Sequence, residues 1–157
     1  MPRYWLFKTE PDEFSINDLR SQGTVCWDGV RNYSARNFLR DELEQGDRVL
    51  IYHSSCKTIG VAGIAQVTQA AYPDPTQFDS SSAYYDPKAS RNSPKWFCVT
   101  LGFSACFGKV ITLGQLKNTP ALSAMTLFKQ PRLSVQPVTA DEFQCIKQLA
   151  RIMTCVE

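Results

Sequence analysis

Two adjacent β-rich runs near the middle of the chain limit the folds open to it. Residues 48–53 (RVLIYH) and 59–67 (IGVAGIAQV) are separated only by a short stretch, and the second run contains Gly60 and Gly63. Glycine within a strand marks a bulge or a place where two backbones come close. The two runs therefore predict strands, and the glycines predict bulges or a close backbone approach of the kind that a tightly curved sheet needs.

The rest of the chain alternates short strand-like runs with short helical patterns. We expect further strands at residues 4–8, 24–27, 95–107 and 132–135, and helices at residues 16–21, 30–43, 112–117, 121–127 and from 140 onward. Capping boxes at Ser15 and Thr139 mark the starts of the first and last helices. Without repeats or a linker, residues 1–157 predict a single α+β domain, a small mixed β-barrel of about five or six strands surrounded by helices.

A long loop is predicted at residues 71–94, which contain four of the nine prolines of the chain. Loops of this length in a compact domain are usually functional or disordered. Its aromatic residues indicate that it packs against the domain.

The motifs of the common enzyme classes are absent from the sequence. There is no Gly-x-Gly-x-x-Gly, no phosphate-loop lysine motif and no Gly-x-Ser-x-Gly elbow. The only histidine is His53, and with Cys56 it offers two metal ligands, which do not make a site. We therefore expect no catalytic residue, no metal and no cofactor. The alternatives are an enzyme that uses His53 as acid and base, assisted by Ser54 or Cys56, and a small-ligand-binding module.

Cysteine spacing and the start of the chain suggest a compartment. The six cysteines form no Cys-x-x-Cys pair, and residues 1–5 open no apolar secretory segment. This predicts free thiols in a reducing compartment. No apolar run approaches the roughly 18 residues that a membrane span needs, so no membrane partner is expected. No basic N-terminal extension provides a nuclear address, so we expect a cytoplasmic protein, and we favour a monomer.

Charge is unevenly distributed, although the net charge is only +2. Residues 87–140 contain seven Lys or Arg and no acid, whereas residues 1–50 contain nine acids against seven bases. A surface of one sign attracts a partner of the other sign, so the basic segment favours a polyanion such as nucleic acid. The alternative is a scattered, solvated surface, because the seven cations are spread along the chain.

The most distinctive stretch is WDGVRNYSARN at residues 27–37. Trp27 ends a predicted strand, and after a turn Arg31, Asn32, Arg36 and Asn37 stand at the start of the next helix. An aromatic face beside amide and guanidinium donors suits a planar base next to a phosphate. The alternative is that Trp27 belongs to the core, Arg31 pairs with an acid and Asn32 caps the helix.

Several motifs, in a fixed order, resemble the EVE domain family. They are YWL at residues 4–6, KTEP at 8–11, WDGVRNY at 27–33, ARN at 35–37, GD at 46–47, YHS at 52–54, YPDP at 72–75 and RLSVQPV at 132–138. The resemblance implies a PUA-like fold, similar in architecture to the YTH and SRA readers of methylated bases. It also implies a non-catalytic reader that takes a modified base, extruded from DNA or RNA, into an aromatic pocket.

The resemblance further implies roles for individual residues. The implied nucleobase-binding set is Trp27, Asn32, Tyr52, His53, Ser54, Leu133 and Ser134. The implied phosphate-holding or pocket-bracing set is Lys8, Glu10, Arg31, Arg36 and Asn37. Within these sets Trp27 would stack on the base and Asn32 would bond its edge.

Two positions depart from the family pattern. Thr9 stands where the family usually has serine, which keeps the hydroxyl and adds a methyl group. Ser34 stands where the family usually has glutamine, which removes any contact that the long amide made. Outside the implied sets, we expect Tyr33 to serve helix packing, and Trp96 either to pack the barrel or to flank the pocket.

Overall fold

The computed structural model describes residues 2–155, with side chains as far as Ile152. Its strands are β1 (Tyr4–Thr9), β2 (Thr24–Trp27), β3 (Arg48–His53), β4 (Gly60–Pro73), β5 (Phe97–Thr112) and β6 (Val135–Val138). Its α-helices are α1 (Ile16–Gln22), α2 (Tyr33–Asp41), α3 (Leu113–Lys117), α4 (Thr126–Lys129) and α5 (Ala140–Cys155). Short 3-10 helices span Pro75–Phe78 and Pro120–Leu122.

The six strands of this range form one sheet in the order β2-β5-β4-β3-β1-β6. β1 runs parallel to β3, and the other neighbouring strands are antiparallel. The long strands β4 and β5 pair with repeated shifts in register. A Cβ atom on Gly60 or Gly63 would overlap the carbonyl oxygen of Ile111 or Ala105 on β5. The close backbone approach predicted at these glycines is therefore confirmed.

Side chains alternate across the sheet and build a core on each face. In β1, Trp5 and Phe7 lie in one core with residues of α1 and α2, whereas Leu6 lies in the other with residues of α5. All three are fully buried. Burial of both faces is expected for a sheet that has helices on both sides.

The predicted α+β class and the number of strands are confirmed, but the small mixed barrel is not, since the sheet is not closed. β2 and β6 stand at the two ends of the strand order, and no pairing within residues 2–155 joins them. The last strand also begins later than predicted, at Val135, because residues 130–133 form a turn in which the Leu133 N–H donates to the Gln130 carbonyl over 3.2 Å. None of the described helices is long and apolar enough to cross a membrane.

The predicted loop at residues 71–94 is held at both ends. Residues 71–73 of the predicted loop belong to the end of β4, and the 3-10 helix Pro75–Phe78 follows them. Gln77 is fully buried, and its amide nitrogen donates to the carbonyls of Asp74 and Trp96. Its amide oxygen accepts from the N–H groups of Lys95 and Trp96. One side chain therefore joins the start of the loop to the residues that precede β5.

Candidate functional site

A cavity of about 710 Å³ lies where the ends of β1 and β2 meet the long loop. Its walls come mainly from residues 8–10 at the end of β1, from residues 25–32 around the end of β2, from residues 132 and 134 before β6, and from Tyr84 of the loop. We call it the Trp27 cavity. The fold thus brings residues from distant parts of the sequence around a single space.

Trp27 forms one wall of this cavity from the last position of β2. Its ring centroid lies 5.6 Å from that of Phe7 and 5.8 Å from that of Phe14. Only 9% of Trp27 is exposed. The indole is therefore held by the core while it lines the cavity, so its orientation is set before a ligand binds.

The turn that follows Trp27 is tied to the long loop. Gly29 has a φ of 81°, a conformation that favours glycine, and a Cβ atom there would lie 2.8 Å from the ring of Tyr84. The Gly29 N–H donates to the Asp74 carboxylate over 2.8 Å. The position of this wall therefore depends on residues of the loop.

Asp74 is fully buried and anchors the turn through hydrogen bonds. Its carboxylate accepts from Arg31 Nη1 at 3.0 Å and from the Thr76 N–H at 2.8 Å. Burial alone would raise the pKa of Asp74, but the hydrogen bonds that it accepts, led by those from Thr76, outweigh burial and lower the pKa. Arg31 also donates to the Tyr84 carbonyl over 2.8 Å. Arg31 thus braces the cavity wall against the loop.

Asn32 lies at the edge of the cavity and caps α2. Its side-chain oxygen accepts from the Ala35 N–H over 2.9 Å. The residue lines both the Trp27 cavity and a smaller groove of about 290 Å³ beside it. Because the cap uses one lone pair of the amide oxygen, the NH₂ group is the more available partner for a base.

Several polar residues complete the lining. The Lys8 N–H donates to the Ser134 carbonyl over 2.9 Å, and the Lys8 ammonium group donates to the Pro131 carbonyl. Burial lowers the pKa of Lys8. Glu10 and Ser54 also line the cavity. The space is thus surrounded by both donors and acceptors.

Three members of the implied nucleobase-binding set, Tyr52, His53 and Leu133, do not line this cavity. Tyr52 is 3% exposed and lies in the core beside α5, and Leu133 borders the smaller groove. His53 Nε2 accepts from the Ile16 N–H over 3.1 Å at the start of α1. Burial lowers the pKa of His53, which favours the neutral form of the imidazole. His53 therefore holds α1 against β3.

Arg36 and Asn37 lie outside the cavity. Arg36 belongs to a surface patch that we call the aromatic platform, which consists of Tyr33 and Arg36 of α2 and of Lys95 and Trp96 just before β5. The rings of Tyr33 and Trp96 stack with centroids 4.9 Å apart, and Arg36 donates to Asn37 Oδ1 and to the Lys95 carbonyl. Tyr33 packs against Trp96 and stays outside the cavity, as expected, yet 52% of the residue is exposed.

Cys26 and Cys98 form a close pair of free thiols next to Trp27, with their sulfur atoms 3.2 Å apart. The hydrogen bond with Cys98 lowers the pKa of Cys26 to about 7 against the opposing effect of burial, and the pKa of Cys98 is raised. Cys26 lines the Trp27 cavity. Among the side chains that the structure describes, those of residues 2–152, no three from His, Cys, Asp or Glu are grouped to hold a metal ion.

Comparison with known proteins adds to this geometry. The model of the EVE domain family matches residues 3–149. Thymocyte nuclear protein 1 of Homo sapiens is 41% identical over 165 residues, which are 93% of this chain and 73% of the relative. A solved structure from Leishmania major superposes with a TM-score of 0.95 at 47% identity, with 98% of each chain covered. The crystal structure of human THYN1 in complex with 5-methylcytosine-containing DNA superposes with a TM-score of 0.88 at 40% identity, with 94% of this chain and 97% of that chain covered.

These relatives correct one expectation. The cytoplasmic setting predicted from the sequence is contradicted by the mouse and human relatives, whose name places them in the nucleus. The lack of a basic stretch at the start of the sequence is thus a poor guide to the compartment.

Proposed function

The chain belongs to the EVE domain family, and from this premise we propose that it binds a modified nucleobase of DNA or RNA in the Trp27 cavity and catalyses no reaction. The observation that carries the proposal is the cavity beside the Trp27 indole. The complex of human THYN1 with DNA that contains 5-methylcytosine supports a base of this chemical class.

The size and lining of the cavity suit a flat heterocycle. Its volume of about 710 Å³ falls within the roughly 300–1,000 Å³ that is usual for small-molecule sites. The indole of Trp27 provides a surface for stacking, and the Asn32 NH₂ group and the polar side chain of Ser134 provide partners for a base edge. Arg132 and Lys8 supply positive charge for the phosphates on either side of the base.

The free energies of base extrusion and stacking indicate that the cavity alone gives only weak binding. Extruding a base costs a few kcal/mol, least from single-stranded or damaged positions. Stacking on an aromatic wall returns about 1–3 kcal/mol per base, and recognition of one methyl group adds about 1–3 kcal/mol. These gains and costs nearly offset each other. Phosphate contacts must then supply much of the affinity, so binding should weaken as the salt concentration rises.

A reaction at His53 has less support. Its Nε2 lone pair is used by the Ile16 N–H, and the imidazole does not line the Trp27 cavity. An acid–base role would require His53 to give up this hydrogen bond and reach the cavity. The proposal therefore assigns no catalytic residue.

The test compares two substitutions of the same side chain. Trp27→Phe keeps a ring for stacking, whereas Trp27→Leu keeps apolar volume against Phe7 and Phe14 but has no ring. We expect the leucine variant to lose about 5- to 150-fold in affinity for a 5-methylcytosine oligonucleotide, and the phenylalanine variant to lose only a few-fold. Fluorescence anisotropy with modified and plain oligonucleotides, single- and double-stranded, measures both.

Circular dichroism and thermal unfolding identify any variant that fails to fold. A folded Trp27→Leu protein that binds the modified oligonucleotide as tightly as the parent protein would rule out the proposed stacking.

A further inference from the structure

We propose that the aromatic platform is a second nucleobase-binding site, which stacks an unmodified base next to the one held in the Trp27 cavity. The inference rests on the proposed function. The aromatic platform lies outside the Trp27 cavity, and its proposed ligand is an unpaired base of a single-stranded segment.

The platform presents an open aromatic ring on a rigid support. Tyr33 stacks on Trp96 with an interplanar angle of 25°, yet 52% of Tyr33 is exposed. Trp96 is buried, and its Nε1 donates to Asp86 over 2.8 Å. The supporting ring is thus fixed, and about half of Tyr33 remains exposed to a further flat group.

Positive charge surrounds the stacked rings. The Arg36 guanidinium carbon lies 4.8 Å from the Tyr33 ring centroid, and Lys95 Nζ lies 5.9 Å from it. Arg31 lies 5.2 Å from the Trp96 ring centroid. Lys95 and Arg31 have carboxylate partners, whereas Arg36 has no salt bridge among the described residues. An aromatic ring edged by cations complements a base with its phosphate.

The platform is continuous with the Trp27 cavity. Arg31 lines the cavity and also contacts the Trp96 ring. Tyr33 directly follows Asn32, which lines the cavity as well. The cavity and the platform thus share the Arg31 side chain and adjacent residues of the chain, and the proposal places the neighbouring nucleotide on the exposed ring of Tyr33.

The position of Tyr33 on α2 argues against a purely structural role. The buried residues of α2 are Ala35 and Leu39, which form its core-facing side. Tyr33 does not share that burial and belongs to neither core of the sheet. The combination of exposure, stacking and cations is instead typical of a surface that binds single strands.

The experiment uses single-stranded oligonucleotides that contain 5-methylcytosine or plain cytosine, each with its neighbouring base intact or replaced by an abasic residue. Tyr33→Ala should weaken binding of intact oligonucleotides about 5- to 150-fold, equally for the modified and the plain strand. Tyr33→Phe should bind like the parent protein. With the abasic oligonucleotides, Tyr33→Ala and the parent protein should bind alike.

Tyr85→Ala is the matched control. Tyr85 is 43% exposed, and among the described residues it stacks on no other ring and lies under no cation. Parent-like binding by Tyr33→Ala, an equal loss in Tyr85→Ala, or a loss that persists with abasic oligonucleotides would each overturn the inference. Failure of the parent protein to prefer 5-methylcytosine would count against the proposed function alone, since the plain strand still reports on Tyr33.

Discussion

At the scale of single residues, Cys26 gives the cavity a group that titrates near neutral pH. Its pKa is lowered to about 7 by the hydrogen bond with Cys98. The thiolate is the nucleophile, and its fraction rises as the pH rises through the pKa. We therefore expect the rate of alkylation of Cys26 by iodoacetamide to increase with pH, with its midpoint near pH 7, as followed by peptide mass spectrometry.

Two comparisons make this prediction specific. Cys98→Ala removes the hydrogen bond while burial of Cys26 continues to raise its pKa, so the midpoint should move to higher pH. Added oligonucleotide should slow alkylation of Cys26, which lines the cavity, but not of Cys56, which does not. An unchanged midpoint in Cys98→Ala would show that the thiol pair does not control this pKa.

Residues also differ in how far their surroundings can be predicted from the sequence. The motif at residues 27–32 indicated a site because its aromatic, amide and guanidinium groups are neighbours along the chain. Asp74 and Tyr84 were missed, because they meet Arg31 across 43 and 53 residues of sequence. The spacing of residues within a short motif does not reveal contacts between positions so far apart in the sequence. The binding roles of Trp27 and Asn32 remain predictions.

At the scale of elements, the turn between β2 and α2 sets the shape of the cavity. Gly29→Ala places a Cβ atom 2.8 Å from the Tyr84 ring at a φ of 81°. The left-handed backbone costs about 1–2 kcal/mol for a residue with a side chain, and displacing Tyr84 adds to that cost. We expect lower stability in urea unfolding and weaker binding of the 5-methylcytosine oligonucleotide.

Gly23→Ala provides the control for backbone strain. Gly23 has the same φ of 81°, but nothing lies within 4 Å of the position of its Cβ atom. With its ψ of −50°, this backbone conformation is strained for a residue with a side chain, so the variant should lose stability and keep the binding affinity of the parent protein. Equal effects of the two substitutions on binding would mean that contact with Tyr84 does not shape the site.

Elements were predicted well where a local signal marks them. The capping box at Ser15 identified α1, and Gly60 and Gly63 identified the close backbone approach in β4. The last strand was predicted at residues 132–135 but lies at Val135–Val138, because β-propensity does not reveal that Gln136 and Val138 pair with β1. The closed barrel was inferred from the number of strands, which does not determine whether the edge strands meet.

At the scale of the whole molecule, the basic segment at residues 87–140 is divided among different surfaces. Arg132 lines both the Trp27 cavity and the smaller groove, and Lys95 belongs to the aromatic platform. Lys117 ends α3, a helix that contributes nothing to the lining of either space. Position in the fold, and not the count of charges along the chain, therefore decides which cations can contact a phosphate.

The salt dependence of oligonucleotide binding should distinguish Arg132 from Lys117. Each phosphate contact contributes about −0.9 to the slope of log K against log salt concentration for duplex DNA, and about −0.7 for a single strand. Arg132→Ala should make the slope shallower by roughly the contribution of one phosphate contact. It should weaken the binding of modified and plain oligonucleotides equally. Lys117→Ala should leave both slope and affinity unchanged. Binding titrations at several NaCl concentrations measure the slope for each variant. If Arg132→Ala and Lys117→Ala change the slope equally, binding depends on the overall charge of the protein and not on the cations around the Trp27 cavity.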